Sequence, residues 1–274
     1  MFTLNCKGKL LVLDTPVIMG IINATPDSFY KGNINEDMLA LAENMIADGA
    51  TILDIGGQST KPGSQRITAD EEISRVLPVI QSIAQKFPSA IISVDTYSST
   101  VAAAAVAAGA SMVNDISGGT MDALLLKTVA ALQVPYICMH IQGTPDTMQL
   151  NPQYDNVAKE VLDFFITKID QCKNAGVTDI VIDPGFGFGK TIAHNFSLLK
   201  KMAALKMLNR PILAGLSRKS TIYKTLQTDA ANALNGTTAL NTMALLNGAT
   251  ILRVHDVKEA QETITLFNAY KKAP

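Results

Sequence analysis

Along most of the chain, short apolar and β-branched runs end abruptly at a polar residue or a glycine. Ile18-Met19-Gly20-Ile21-Ile22 stops at Asn23, Thr51-Ile52-Leu53 at Asp54-Ile55-Gly56-Gly57, Ile91-Ile92-Ser93-Val94 at Asp95, and Ser111-Met112-Val113 at Asn114-Asp115. The run 134–139 stops at His140, Ile180-Val181-Ile182 at Asp183, 211–214 at Gly215, and Ile251-Leu252 at Arg253-Val254-His255. Between the runs the period changes. Met38, Leu39, Leu41, Ala42, Met45 and Ile46 fall on one face of a helix over 35–48. Thr68 with Glu71 three residues on is a capping-box start for a helix reaching about Lys86. Further helices are expected over 98–108, 122–132, 157–174 and 232–247, several closed by Gly49, Gly109, Gly176 or Gly248.

Regular alternation of strand and helix predicts a parallel sheet covered by helices, either an open doubly wound sheet or a closed barrel. About eight repeats favour closure as a (β/α)8 TIM barrel. Before the first repeat, Phe2-Thr3-Leu4 and Leu10-Leu11-Val12-Leu13 flank Lys7-Gly8-Lys9 as an N-terminal β-hairpin, expected as a plug at the barrel bottom. In such a barrel the C-terminal strand ends share one rim, so the series of polar stops maps the mouth of a site. With 274 residues and no composition break, residues 1–274 are expected as a single domain.

Composition narrows the class. A net charge of −1 provides no field for nucleic acid or an anionic membrane, so neither is expected as a partner and any anion must be held by local groups. Three cysteines, Cys6, Cys138 and Cys172, lack metal-ligand spacing and suggest a reducing, cytoplasmic location. No apolar stretch approaches ~18 residues.

The loops carry the candidate chemistry. Residues 23–32 and 56–64 are long βα loops with hydroxyls, glycines and a cation, the kind of segment that closes over a site. Asp183-Pro184-Gly185-Phe186-Gly187-Phe188-Gly189-Lys190 matches neither a P-loop nor a dinucleotide fingerprint. Asp183 suits paired N–H donors of a planar heterocycle with an aromatic nearby, or else caps the following turn. Gly215-Leu216-Ser217-Arg218-Lys219-Ser220 opens a short helix over 221–226, where backbone N–H groups and Lys219 attract anions. Arg253 and His255, two residues apart on a strand, fall on one side and could clamp phosphate. His194 falls at a helix start and His140 reads as a structural group; neither is expected to bind a metal.

These segments, with Asn23-Ala24-Thr25-Pro26-Asp27-Ser28-Phe29, Asp54 to Gly63, Ser93-Val94-Asp95-Thr96 and Met139-His140-Ile141-Gln142-Gly143-Thr144-Pro145, resemble in order the dihydropteroate synthase family of pterin-binding TIM barrels. The resemblance implies a transferase of folate biosynthesis. It condenses 6-hydroxymethyl-7,8-dihydropterin diphosphate with 4-aminobenzoate to 7,8-dihydropteroate and diphosphate, through a dissociative pterin cation. It further implies Mg²⁺ as cofactor with Asn23 as its contact, a homodimer, and sulfonamides as competitors of aminobenzoate.

Residue by residue, the resemblance assigns Asp95, Asn114, Met139, Asp183, Gly215, Lys219 and Arg253 to the pterin. It assigns Asn23, Thr60, Arg253 and His255 to the diphosphate, and Thr60, Lys61, Pro62, Phe188, Lys219 and Ser220 to aminobenzoate. Asp95, Lys219, Arg253 and His255 become the catalytic set. Thr25, Pro26, Asp27, Phe29, Ser59 and Gly63 fall on two mobile loops. This implies a deep pterin-reading layer of Asn114, Asp183, Asp95 and Lys219, and an anion layer of Asn23, Arg253 and His255 nearer the mouth. Departures from the family pattern cluster in the loops: Lys61 in place of Arg, Gln58 in place of Glu, and Tyr30-Lys31-Gly32-Asn33. Lys lacks the planar fork of Arg, so loop closure and aminobenzoate handling are where this chain is expected to depart from the family. A pterin-using methyltransferase of the same barrel class would share Asp95, Asn114 and Asp183 but has no use for the two loops or for Arg253 with His255. A non-catalytic pterin-binding protein is the remaining alternative.

Overall fold

A computed structural model describes residues 1–25, 34–58 and 66–274. A hairpin, β1 (Phe2–Cys6) and β2 (Lys9–Leu13), precedes eight parallel strands. These are β3 (Val17–Asn23), β4 (Ile52–Gly56), β5 (Ile91–Asp95), β6 (Met112–Asp115), β7 (Tyr136–Met139), β8 (Ile180–Asp183), β9 (Leu213–Ala214) and β10 (Ile251–Val254). Their order is β8-β7-β6-β5-β4-β3-β10-β9, and a parallel bridge between Ile182 and Ile212 joins the two ends. The sheet is thus a closed barrel, as the number of repeats led one to expect.

Helices α1 (Ile34–Ala47), α2 (Ala69–Lys86), α3 (Ser99–Ala108), α4 (Leu125–Leu132), α5 (Val157–Ala175), α6 (Ile192–Lys201), α7 (Ser220–Thr225), α8 (Leu234–Leu246) and α9 (Val257–Lys272) fill the crossovers and the C-terminus. The bodies of α6 and α9 were not anticipated. Thr68 caps α2 by accepting from Glu71 N at 3.2 Å, but the Glu71 carboxylate turns to Arg75, so the cap is one-sided. The expected start near 122 shifts to Leu125 because Asp122 spends its carboxylate on the backbone N–H groups of Leu124 and Ser99. No helix among the described residues is long and apolar enough to cross a membrane.

Strand alternation sorts the side chains into two cores. One set of residues, including Ile18, Leu53, Ile55, Ile92, Val94, Val113, Ile182, Leu252 and Val254, packs against the helices. The opposite set forms an apolar floor inside the barrel: Met19, Ile52, Ile91, Met112, Ile137, Val181, Leu213 and Ile251. Against this floor pack Leu4, Cys6, Leu11 and Leu13 of the hairpin. The hairpin is the expected plug. Its turn, Lys7-Gly8, has both residues at positive φ, the geometry of a tight two-residue connection. Burial raises the Cys6 thiol to about 12, which leaves it a packing group.

Candidate active site

Counting two residues up each strand from the apolar floor gives Ile21, Asp54, Ser93, Asn114, Met139, Asp183, Gly215 and Arg253. With a period of two, all of these face the barrel interior. Two residues further lie Asn23, Gly56, Asp95 and His255. The sequence reading placed Arg253 in the outer layer and Asp95 in the inner one. The order of the roots is the reverse, because Arg253 is two residues beyond its floor residue Ile251 whereas Asp95 is four beyond Ile91. The long Arg253 side chain nevertheless reaches outward to Asp95.

Arg253 Nε donates to Asp54 Oδ2 at 2.7 Å and Nη2 to Asp95 Oδ2 at 2.6 Å. Burial opposes the guanidinium charge, but Asp54 and Asp95 outweigh it and hold the group firmly protonated. For Asp95, burial raises the carboxyl above the ordinary carboxylate range and Arg253 works against that rise. The same Asp54 oxygen accepts from Asn114 Nδ2 at 2.9 Å. Asp54, fully buried, was quoted in the strand-end pattern without a role; its signal was a carboxylate at an inward position of an otherwise apolar strand.

Asp183 accepts from Gly185 N at 2.8 Å through Oδ1, so it does cap the following turn while facing the barrel interior. Burial raises its carboxyl, with Lys219 the chief opposing influence. The turn is imposed by crowding: a Cβ on Gly185, at φ +68°, would stand 1.9 Å from the His140 carbonyl oxygen. Lys219 Nζ donates to the Phe186 carbonyl and stands 4.7 Å above the Phe188 ring centroid. Burial lowers its ammonium to about 8 and Asp183 resists the change. A Cβ on Gly215 would lie 3.7 Å from Lys219 Nζ and 4.0 Å from Arg253 Cβ, so this glycine leaves room beside both cations. Met139 is buried at the end of β7. Ser220 begins α7, a single six-residue segment for which Lys219 is the N-cap.

His255 lies on the same side of β10 as Arg253 but has a different hydrogen-bond partner. Its Nδ1 lies 3.0 Å from Ser217 Oγ, and that oxygen accepts from the His255 backbone N–H at 3.2 Å. Ser217 Oγ thus holds both the backbone and the ring of His255. Burial, then Arg253, lower the imidazole to about 4, so the ring is neutral at pH 7 although the residue keeps an exposed edge at the rim. Asn23 is exposed at the end of β3. Among the described residues no group of three His, Cys, Asp or Glu side chains converges as a metal site. Thr25 is described, but Pro26, Asp27, Phe29, Ser59, Thr60, Lys61, Pro62 and Gly63 lie outside the described residues, as does the segment 30–33. Gln58, at the root of the second loop, accepts from Tyr97 Oη at 3.1 Å.

Neighbouring polar stops turn out to be structural. Asp115 faces the helices and accepts from Tyr136 Oη, Ser117 N and Gly119 N. His140 Nδ1 lies 2.9 Å from the buried Lys190 Nζ, which also donates to the carbonyls of Gly185 and Phe188. His194 completes a capping box with Thr191 at the start of α6, as its position suggested.

The barrel mouth thus gathers three carboxylates, an amide and two cations, the setting of a barrel site for a polar ligand, and residues 19–255 match the family model described as pterin binding enzyme. The chain belongs to this family. It is 41% identical to the dihydropteroate synthase of Escherichia coli K12 over 268 residues, covering 96% of this chain and 94% of that one. A Xanthomonas albilineans dihydropteroate synthase solved with 4-aminobenzoic acid superposes with a TM-score of 0.94 at 39% identity, covering 99% of each chain. The Yersinia pestis dihydropteroate synthase in a sulfonamide drug complex gives 0.93 at 38% identity, covering 99% of this chain and all of the other. The activity carried by this membership is dihydropteroate synthesis, a transferase step of folate biosynthesis.

Proposed function

We propose that residues 1–274 act as one pterin-binding unit that makes 7,8-dihydropteroate by a dissociative route. The observation that carries this reading is the convergence of three carboxylates, Asp54, Asp95 and Asp183, with Lys219 and Arg253 at the barrel interior. Carboxylates held there favour a cation formed beside them. In the proposed reaction the carbon–oxygen bond to diphosphate breaks first, its electron pair leaves with the diphosphate, and a delocalised pterin cation remains. The 4-aminobenzoate nitrogen then forms the new carbon–nitrogen bond and loses its proton to solvent or diphosphate.

Asp183, with Oδ1 already on Gly185 N, uses its carboxylate to take the N–H edge of the pterin. Asn114 and Met139 line the ring, and Lys219 reaches the ring carbonyl across the space left by Gly215. Asp95 offsets the positive charge on the ring. Arg253 and the neutral His255 hold the departing diphosphate together with Asn23. Phe188 and Ser220 border the aminobenzoate position, with Thr60, Lys61 and Pro62 assigned to it by family likeness alone. Asn23 offers an exposed amide oxygen, which fits a magnesium ion that arrives with the diphosphate and keeps several waters. Magnesium bound there would neutralise charge on the leaving group.

A cytoplasmic homodimer completes the proposal. Met243 of α8 is exposed in a groove shared with Phe196 of α6, and Leu246 is exposed on the same helix, apolar surface that supports self-association. Sulfonamides are proposed to compete with aminobenzoate. The deciding experiment mixes the protein with dihydropterin diphosphate, Mg²⁺ and 4-aminobenzoate and measures dihydropteroate and diphosphate together. Equimolar appearance of both is expected. Pterin binding without either product would overturn the catalytic reading.

A further inference from the structure

Asp54 stands at the centre of the inward ring and is absent from every role assigned above to a substrate contact. We infer that it is a positioning residue that fixes how Asn114 and Arg253 face the pterin, an inference that rests on the proposed substrate contacts of those two residues. Asp54 lies on β4, and its two partners come from opposite directions around the barrel. Asn114 is on β6, two strands away on one side, and Arg253 is on β10, two strands away on the other. Both donate to the same oxygen, Oδ2, at 2.9 and 2.7 Å.

The consequence for Asn114 is directional. With Nδ2 anchored on a buried carboxylate, the orientation of the amide is fixed, which leaves its carbonyl oxygen and its second N–H for a heterocycle edge. The consequence for Arg253 is rotational. Asp54 takes Nε and Asp95 takes Nη2, which fixes the plane of the guanidinium and leaves Nη1 outside both contacts. Lys could not be held this way, since the bridge depends on a planar fork.

The other oxygen of Asp54 remains open to water or a ligand. Oδ1 is buried with no protein hydrogen-bond partner, and Ser93 Oγ, paired in register with Asp54 on β5, is likewise buried without a protein partner. Buried polar atoms of this kind gather where a barrel interior holds water or ligand.

The test is steady-state kinetics on Asp54→Asn, Asp54→Glu, Asn114→Ala, Arg253→Lys and the double variant Asp54→Asn/Asn114→Ala, with circular dichroism as a check on folding. Asn at 54 retains the shape but brings an NH2 toward donors, and Glu retains the charge but displaces it by a methylene. Either change weakens the hold on Asn114 and Arg253, Asn by removing the charge while one acceptor oxygen remains, Glu by displacing both oxygens. Residues that orient a ligand-contacting group typically cost about 10–100-fold when changed. A loss of about that size in kcat/KM for dihydropterin diphosphate is expected in both Asp54 variants, with the KM for 4-aminobenzoate unmoved. The double variant should lose less than the product of its two single losses, as for residues acting in one network. Folded Asp54 variants with unchanged pterin kinetics, equal changes in both KM values, or multiplicative losses would overturn the inference. If Asn114→Ala and Arg253→Lys also leave pterin kinetics unchanged, the failure belongs to the proposed substrate contacts instead.

Discussion

Arg253 Nη2 donates to Asp95 Oδ2 at 2.6 Å, joining residues 158 positions apart across the mouth of the barrel. Because Nε of the same guanidinium is on Asp54, one cation links three strands of the barrel, β4, β5 and β10. The link couples the proposed leaving-group contact to the carboxylate proposed to face the pterin cation.

Arg253→Ala is therefore expected to harm both function and stability. Turnover should fall by about 10²–10³, the usual loss for one electrostatic contact at a developing charge. Removing one partner of a buried ion pair should also cost about 3–5 kcal/mol, since Asp54 and Asp95 are left together without the cation. Urea midpoints and steady-state rates measure the two losses separately. Arg253→Lys should keep most of the stability and still be impaired; a fully active Lys variant would show that the planar bridge is dispensable.

The pH dependence should carry the mark of Lys219. Its ammonium is lowered to about 8 by burial, so the proposed cation is present below that pH and lost above it. Asp95, raised above the ordinary carboxylate range by burial, must be ionised and so supplies an acid limb. A bell-shaped kcat/KM profile follows, falling on the alkaline side near pH 8. In Lys219→Arg the charge persists to far higher pH, so the alkaline limb should disappear while the maximum rate drops. Retention of that limb in the Arg variant would assign it to another group.

Glu72 gives a stability effect separable from the chemistry. It is buried in α2, where burial raises its carboxyl from 4.5 to about 7, with Thr96 and Arg75 opposing the rise. Between those values the folded state binds the proton more tightly than the unfolded chain, so this residue's contribution to stability is full below pH 4.5 and is lost as pH rises through 7. The full swing amounts to about 3 kcal/mol. Glu72→Gln should remove that component, making the difference between urea midpoints at pH 5 and pH 8 smaller than in the unsubstituted protein. An identical difference in the two proteins would reject the assignment.

Gly185→Ala tests the turn that displays Lys219's partners. The added methyl meets the His140 carbonyl at 1.9 Å and the residue sits at positive φ, so backbone must move. A loss of about 1–3 kcal/mol in unfolding free energy is expected, as for other overpacked positions. Because the same turn carries Phe186 and Phe188, the variant should also raise the KM for dihydropterin diphosphate. A protein unchanged in both measurements would mean that the turn relaxes freely.

Much of the site was legible because β-strand alternation is local. Each apolar run announced a strand and its polar stop a strand end, whereas the structure separated Asn114, which faces inward, from Asp115, which faces the helices. Family likeness then attached pterin, diphosphate and aminobenzoate to named positions. Asp54 escaped notice because the run Ile52-Leu53-Asp54-Ile55 resembles an ordinary buried strand with one polar interruption. Its role depends on donors 60 and 199 residues away. Lys190 escaped for a similar reason, since its burial among carbonyls appears only when the turn after β8 lies against His140.

By itself the sequence determined the repeated βα units, the plug and the strand ends that form the mouth, since these follow from hydrophobic periodicity, glycine stops and the handed closure of parallel strands. Only the tertiary structure decided which charges meet. Arg253 turns to Asp54 and Asp95 while His255 turns to Ser217, although the two residues share one side of one strand. Periodicity fixes the side a residue faces, but hydrogen-bond partners are fixed by the distances between strands once the barrel has closed.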